Sequence, residues 1–224
     1  MGVPGSSTGD LFWEWAQLPI PREQFKQELK EQQWLHFPEC SPLPGVKALL
    51  LDLTSAQNKD GNKVYVALAT SSEKENFKMK SSHPATSEIF KVFDENLRVL
   101  GDDPRLAEGM GKPAPDIFLL ALRMINESLP EGEEKITPKE CLVFEDSVIG
   151  VEAGRRAKMR VVWVPHPGLA AEIRGRGSDI LAGRAWLISI GDEWQLGEID
   201  DGWAVQLADL QNFPYDEFGI RVGS

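Results

Sequence analysis

The sequence predicts an α/β protein built on a three-layer, doubly wound (Rossmann-like) parallel sheet. Two observations carry this. From residue 63 onward, short apolar runs rich in β-branched residues alternate with helical stretches in the order β-α-β-α-β-α-β, the pattern of a parallel sheet covered on both faces. The chain of 224 residues, with 42% hydrophobic and 26% charged residues, also has the length and composition of one globular core with at most a small appendage.

The elements follow from punctuation by Pro and Gly. Residues 1–9 are small and polar and read as a disordered start. Residues 10–36 read as helix, with Pro21 tolerated in a first turn and Phe25, Leu29, Gln32 and Leu35 among Lys, Glu and Gln. Pro38, Pro42 and Pro44 form a linker, and Gly45 opens a second helix with Val46, Leu49, Leu50 and Leu53 at helical spacing. Strands are expected at 63–69 (KVYVALA), 97–100 (LRVL), 141–144 (CLVF) and 161–164 (VVWV). Short helices are expected within 81–92, interrupted by Pro84, and longer ones at 115–125 and 148–158. Residues 166–212 are less regular; Trp186, Trp194 and Trp203 stand there among acids and glycines, and about 181–206 reads as a surface insertion or edge hairpin. Residues 213–224 read as a turn-rich tail.

Composition excludes several functions. A net charge of -11 is a poor match for phosphate backbones or anionic membranes, so no nucleic-acid polymer and no membrane partner is expected. No apolar run approaches the roughly 20 residues of a membrane span, and the start MGVPGSSTGD lacks the features of a signal peptide. A cytoplasmic location is expected. Cys40 and Cys141 stand far apart, which suggests neither a zinc site nor a disulfide framework.

In a doubly wound sheet ligands bind beyond the carboxyl ends of the strands. Three groups lie there. Thr70, Ser71 and Ser72 end the first strand in hydroxyls and free amides that can cradle a phosphate oxygen or cap the next helix. Lys112 is held between Gly111 and Pro113 just before a helix, and can neutralise a phosphoryl oxygen or simply mark a helix entry. Glu145 and Asp146 follow an apolar strand directly. Such acids are awkward to bury unless a hard cation such as Mg2+ joins them, and otherwise they face water or cap a helix.

Together, ALATSS, GKPAPDIF and LVFEDSVIGVEAGRRAKMRVVWVP resemble, in order and spacing, the second to fourth signature motifs of the haloacid dehalogenase superfamily of phosphohydrolases. The likeness runs from about residue 10 to 170 and resumes at FPYDEFGI. It implies a haloacid dehalogenase (HAD)-type core at 41–224 and the remnant of a helical cap at 10–40. The activity it implies is Mg2+-dependent hydrolysis of a small phosphorylated metabolite, such as a nucleotide of the pseudouridine 5'-phosphate kind. By the same resemblance Thr70 and the Ser71 amide would bind the phosphoryl group, Lys112 would stabilise an aspartyl phosphate, and Glu145 with Asp146 would hold Mg2+. The family's first motif, an apolar strand ending in Asp-x-Asp-Gly, has no counterpart before Leu11. The chain is therefore expected to be N-terminally truncated relative to the family and inactive as it stands, leaving ligand or partner binding as the alternative role. Asp52, ending Leu49-Leu50-Leu51, is a lookalike nucleophile that leaves no room for a cap before Thr70.

Overall fold

A computed structural model describes residues 13, 15–107, 109–185 and 196–223. The expected disordered start at 1–9, and Trp186 and Trp194 of the expected insertion, lie outside the described residues. The helices that matter below are α1 (Arg22–His36), α2 (Val46–Thr54), α3 (Lys74–Lys80), α4 (Pro84–Phe90), α5 (Asp116–Ser128), α6 (Val148–Arg156), α7 (Pro167–Glu172) and α8 (Gly177–Leu181). The strands are β1 (Gln57–Asn58), β2 (Leu68–Ala69), β3 (Arg98–Val99), β4 (Leu142–Glu145), β5 (Arg160–Trp163), β6 (Ala204–Gln206) and β7 (Ile220–Arg221). Among the described residues no helix is long and apolar enough to cross a membrane.

The three layers are visible in how side chains alternate along the strands, as the two-residue period of an extended chain requires. Val143, Val161, Trp163 and Ala204 join one apolar cluster with α5, α6 and Ile180 of α8. Leu142, Phe144, Val162, Val164 and Val205 join the other with Leu49 and Leu53 of α2, Leu210, Phe213 and Ile220. The stretch before Thr70 alternates in the same sense: Ala67 and Ala69 face the first cluster, Val64 and Val66 the second. It therefore lies in the same layer as β4 and β5.

The sheet itself differs from expectation. Among the described residues its parallel strands form two separate pieces, β2 with β3 and the run β4-β5-β6. Among the described residues no strand pairs the remaining edge of β2 or of β4. Only Leu68 and Ala69 of the expected strand 63–69 are in a parallel ladder, in register with Arg98 and Val99. Its partner, β3, is itself only two residues long, so the ladder between them extends no further.

Two stretches read from the sequence as peripheral turn out to be structural. Ala204–Gln206, at the end of the expected insertion, is the third strand of the larger piece, pairing parallel with Val161–Trp163. The expected tail forms a wall of the second cluster: Phe213 packs on Phe144 and Phe218 with ring centroids 5.4 and 4.9 Å apart, and β7 pairs antiparallel with β1. Spaced aromatics between turn residues gave no period from which this packing could be read. Gly45 ties this wall to α2. Its φ is +88°, and a Cβ there would stand 2.1 Å from the Leu210 carbonyl carbon, so only glycine lets the two backbones meet.

Helix α1 stands apart from the layers, since none of its residues is buried and Leu29, Trp34 and Leu35 are exposed. It is tied to α3 and α4 by Lys30 to Glu75 at 3.7 Å, by Lys80 over the Phe37 ring, and by Thr86 Oγ1 donating to the Cys40 carbonyl at 3.2 Å.

Across the molecule, Tyr215 donates its hydroxyl to Asp52 Oδ2 at 2.6 Å. Burial first, and then the Asp52 carboxylate, push the phenol well above its ordinary pKa of 10.0. The folded chain thus keeps a proton that the unfolded chain releases, and the contribution of this bond is complete below about pH 10 and is lost as pH rises through the folded pKa. Tyr215→Phe is expected to cost about 1–2 kcal/mol at pH 8 and to flatten the fall in stability above pH 10, as measured by urea unfolding at pH 8, 10 and 11.

Candidate functional site

The sequence-selected groups that converge are Lys112, Glu145 and the loop after β2. Lys112 follows Gly111, is joined to Pro113 by a cis peptide, and immediately precedes the turn into α5. Its ammonium forms an ion pair with Glu145, is 3.4 Å from the Ala69 carbonyl oxygen, and lies 4.9 Å from the centre of the Phe118 ring. Both partners are buried, at 5% and 8% exposure. One cation thus reaches the carboxyl ends of β2 and β4, each of which is, among the described residues, an end strand of one piece of the parallel sheet.

Glu145 is fixed from its other side. Its Oε2 accepts from Ser147 Oγ at 3.0 Å, and that hydroxyl accepts from the Gly150 amide at 3.1 Å, capping α6. Gly150 is required for this: a Cβ there would lie 2.0 Å from Glu145 Oε2. The cap, the carboxylate and the glycine are one device, in which the helix start is cut away to admit the acid.

The residues expected to share Mg2+ are brought together only in sequence. Glu145 turns inward to Lys112, while Asp146 is exposed and its backbone carbonyl accepts from Trp163 Nε1 at 3.2 Å. Successive residues leaving a strand point opposite ways, so adjacency alone does not make them joint ligands. Among the described residues no group of three or more His, Cys, Asp or Glu side chains is placed to hold a metal ion. With one carboxylate occupied and the other alone, the residues present do not fit a preformed Mg2+ centre.

Thr70 continues the ladder, its amide donating to the Val99 carbonyl at 3.0 Å, and its Oγ1 accepts from the Ser72 amide at 3.2 Å. The Ser71 hydroxyl is buried without a hydrogen-bond partner. Its backbone is held close by Gly101, at which a Cβ would stand 2.3 Å from the Ser71 carbonyl oxygen. Ser72 Oγ accepts from Lys80 Nζ at 3.1 Å. Lys80 was not legible as a site residue, because a lysine in the last turn of a short helix reads as a solvated charge at a favourable dipole end.

Asp52 sits on helix α2 with its carboxylate bonded by Tyr215, away from any strand end, so it is placed as a structural acceptor and not as a nucleophile. His83 and His166 accept from backbone amides as helix caps and contribute nothing here.

Comparison with known proteins identifies the family. A family model described as haloacid dehalogenase-like hydrolase matches residues 12–158. A Saccharomyces cerevisiae protein named probable pseudouridine-5'-phosphatase is 38% identical over 188 residues, which is 84% of this chain and 74% of that protein. A Drosophila melanogaster protein of the same name is 33% identical over 187 residues, 83% of this chain and 72% of that one. Among solved structures, a HAD hydrolase of family IA, variant 3, from Entamoeba histolytica is similar with a TM-score of 0.59 at 18% identity, covering 96% of this chain and 78% of that one, and shows the fold.

Because removing one member of a buried ion pair strands the other, Lys112→Met is expected to cost about 3–5 kcal/mol in urea unfolding. Adding Glu145→Gln to it should recover at least about half of that loss, since a neutral amide is far cheaper to bury than a lone carboxylate.

Proposed function

The chain belongs to the haloacid dehalogenase-like hydrolases, and from that premise we propose that its site takes the phosphoryl group of a small phosphate monoester, a nucleotide such as pseudouridine 5'-phosphate. The observation that carries this is the meeting of a buried lysine with a hydroxyl-lined turn: Lys112 is bonded to the carbonyl of Ala69, and Thr70, Ser71 and Ser72 follow at once. Amides and hydroxyls of such a turn supply donors in fixed directions, and the lysine at its base adds one more, which suits a tetrahedral anion.

Hydrolysis by way of an acyl phosphate needs a free carboxylate facing phosphorus, a second carboxylate to move a proton, and a cation to hold the reacting oxygens. Phosphatases of this family generally use Mg2+. In this chain Glu145 is held by Lys112 and Ser147, Asp52 by Tyr215, and Asp146 stands alone and exposed. No step through Mg2+ is derived from these residues. The phosphatase reading thus describes the origin and ligand class of the site, while turnover by this chain is negligible. The same engaged carboxylates favour a second reading, a non-enzymatic module that binds a phosphorylated ligand.

The test is steady-state hydrolysis of p-nitrophenyl phosphate with Mg2+, paired with thermal unfolding in inorganic phosphate. The expected result is no turnover above the buffer rate and an upward shift of the unfolding midpoint, reaching about 2.7 kcal/mol of stabilisation when phosphate is about a hundredfold above its Kd. Turnover abolished by Lys112→Ala would contradict the inactive reading, and turnover abolished by Asp52→Asn would restore that residue as nucleophile.

A further inference from the structure

We infer that Lys80, and not Lys112 alone, supplies the charge that binds the anion. This rests on the reading of the turn at 70–72 as a phosphate site, and names the residue that sets its affinity. Lys112 is a cation already spent: Glu145 neutralises it in a buried pair, so the two together present no net charge to a ligand. Lys80 has no such partner. Among the described residues no carboxylate forms an ion pair with its ammonium, which lies between Ser72 Oγ at 3.1 Å and the Phe37 ring, whose centre is 4.6 Å away, and the residue as a whole is partly buried.

Geometry explains why a residue at the far end of α3 reaches the turn before its start. Side chains on a helix lean toward its N-terminus, and α3 has only seven residues, so the extended lysine runs back along it to Ser72. The ring of Phe37 covers one side of the ammonium from water. A cation contacted by a hydroxyl and a ring, with no carboxylate against it, keeps its charge for a ligand.

The neighbouring hydroxyls point to the same ligand. Ser72 Oγ accepts from Lys80, which leaves its own proton to donate, and the adjacent ammonium polarises that O–H. Ser71 Oγ is buried with no partner, a cost that an accepting oxygen would remove. Lys80 and the Ser72 hydroxyl it contacts thus present a charge and a proton to one acceptor, and the neighbouring Ser71 hydroxyl is, among the described residues, a further donor without a partner.

The experiment is calorimetric titration of inorganic phosphate into the full chain and into Lys80→Gln, Lys80→Arg and Lys78→Gln. The last removes the same charge from an exposed position of the same helix. Lys80→Gln is expected to weaken phosphate binding by about tenfold or more and to flatten its salt dependence, with Lys80→Arg recovering most of the affinity and Lys78→Gln leaving it within about twofold. Thermal unfolding of each variant without phosphate separates loss of binding from loss of fold; Lys80→Arg keeps the charge if Lys80→Gln does not fold, and must then bind phosphate as the parent does. Unchanged binding by folded Lys80→Gln, or an equal loss in Lys78→Gln, overturns the role of Lys80 and leaves the phosphate site standing. Failure of the unmodified chain to bind phosphate overturns both.

Discussion

The buried contact between Lys112 and Glu145 is the constraint around which the site is organised. Each charge is expensive to bury alone, and each is delivered by a different part of the chain: the lysine by the turn that enters α5, the glutamate by the last residue of β4. Their pairing fixes the separation of those two parts at the place where the sheet is interrupted. The third contact, to the Ala69 carbonyl, adds the end of β2. In a continuous sheet ladder hydrogen bonds would hold these strand ends side by side; here an ammonium group assists side-chain packing in doing so.

That constraint propagates into the surrounding sequence. Because Glu145 must turn inward, α6 cannot carry a side chain at its third residue, and Gly150 stands there. Because Glu145 accepts from Ser147, the same hydroxyl both anchors the acid and caps the helix. A run such as Glu-Asp-Ser-Val-Ile-Gly is therefore explained by packing and capping before any metal is invoked. It also shows why an acid pair in sequence is a poor measure of a metal site in space: the strand's alternation sends Asp146 to the surface, where its carboxylate contributes to solvation.

Much of the layered core was legible in the sequence because both of its signals are local. The apolar runs at 142–145 and 160–163 and the helices at 116–128 and 148–156 each display their own period, and the hydroxyl-rich end of β2, the pinned Lys112 and Glu145 could be placed at strand ends from that pattern alone. What could not be read depends on distant partners. The strand expected over 63–69 shortens because its ladder is limited by the two residues of its partner β3, which no run within 63–69 declares. Ala204–Gln206 has three residues and no alternation long enough to count, yet β5 recruits it. Phe213, Tyr215 and Phe218 look like ornaments of a turn until Phe144 and Asp52 are brought against them across the fold. Lys80 belongs to the same class, since its meaning comes from Ser72 and Phe37 and not from its helix.

The overall charge sharpens what the site has to achieve. A chain of net charge -11 repels a phosphate dianion at long range, so steering cannot account for capture, and at physiological salt fields beyond about 8 Å are largely screened in any case. Affinity has to come from groups in contact. A lysine bonded to a carboxylate offers an anion a donor but no field, because the attraction of one is offset by the repulsion of the other at nearly the same distance. Binding there would require the anion to compete with Glu145 for Lys112, and the displaced acid would then be buried without a counter-charge. An ammonium beside a hydroxyl with a proton to give, and with no carboxylate against it, asks for no such exchange: the ligand completes existing donors instead of breaking an ion pair. In a strongly acidic protein, a cation with no carboxylate in contact and a hydroxyl beside it is the kind of group at which an anion can rest at least cost.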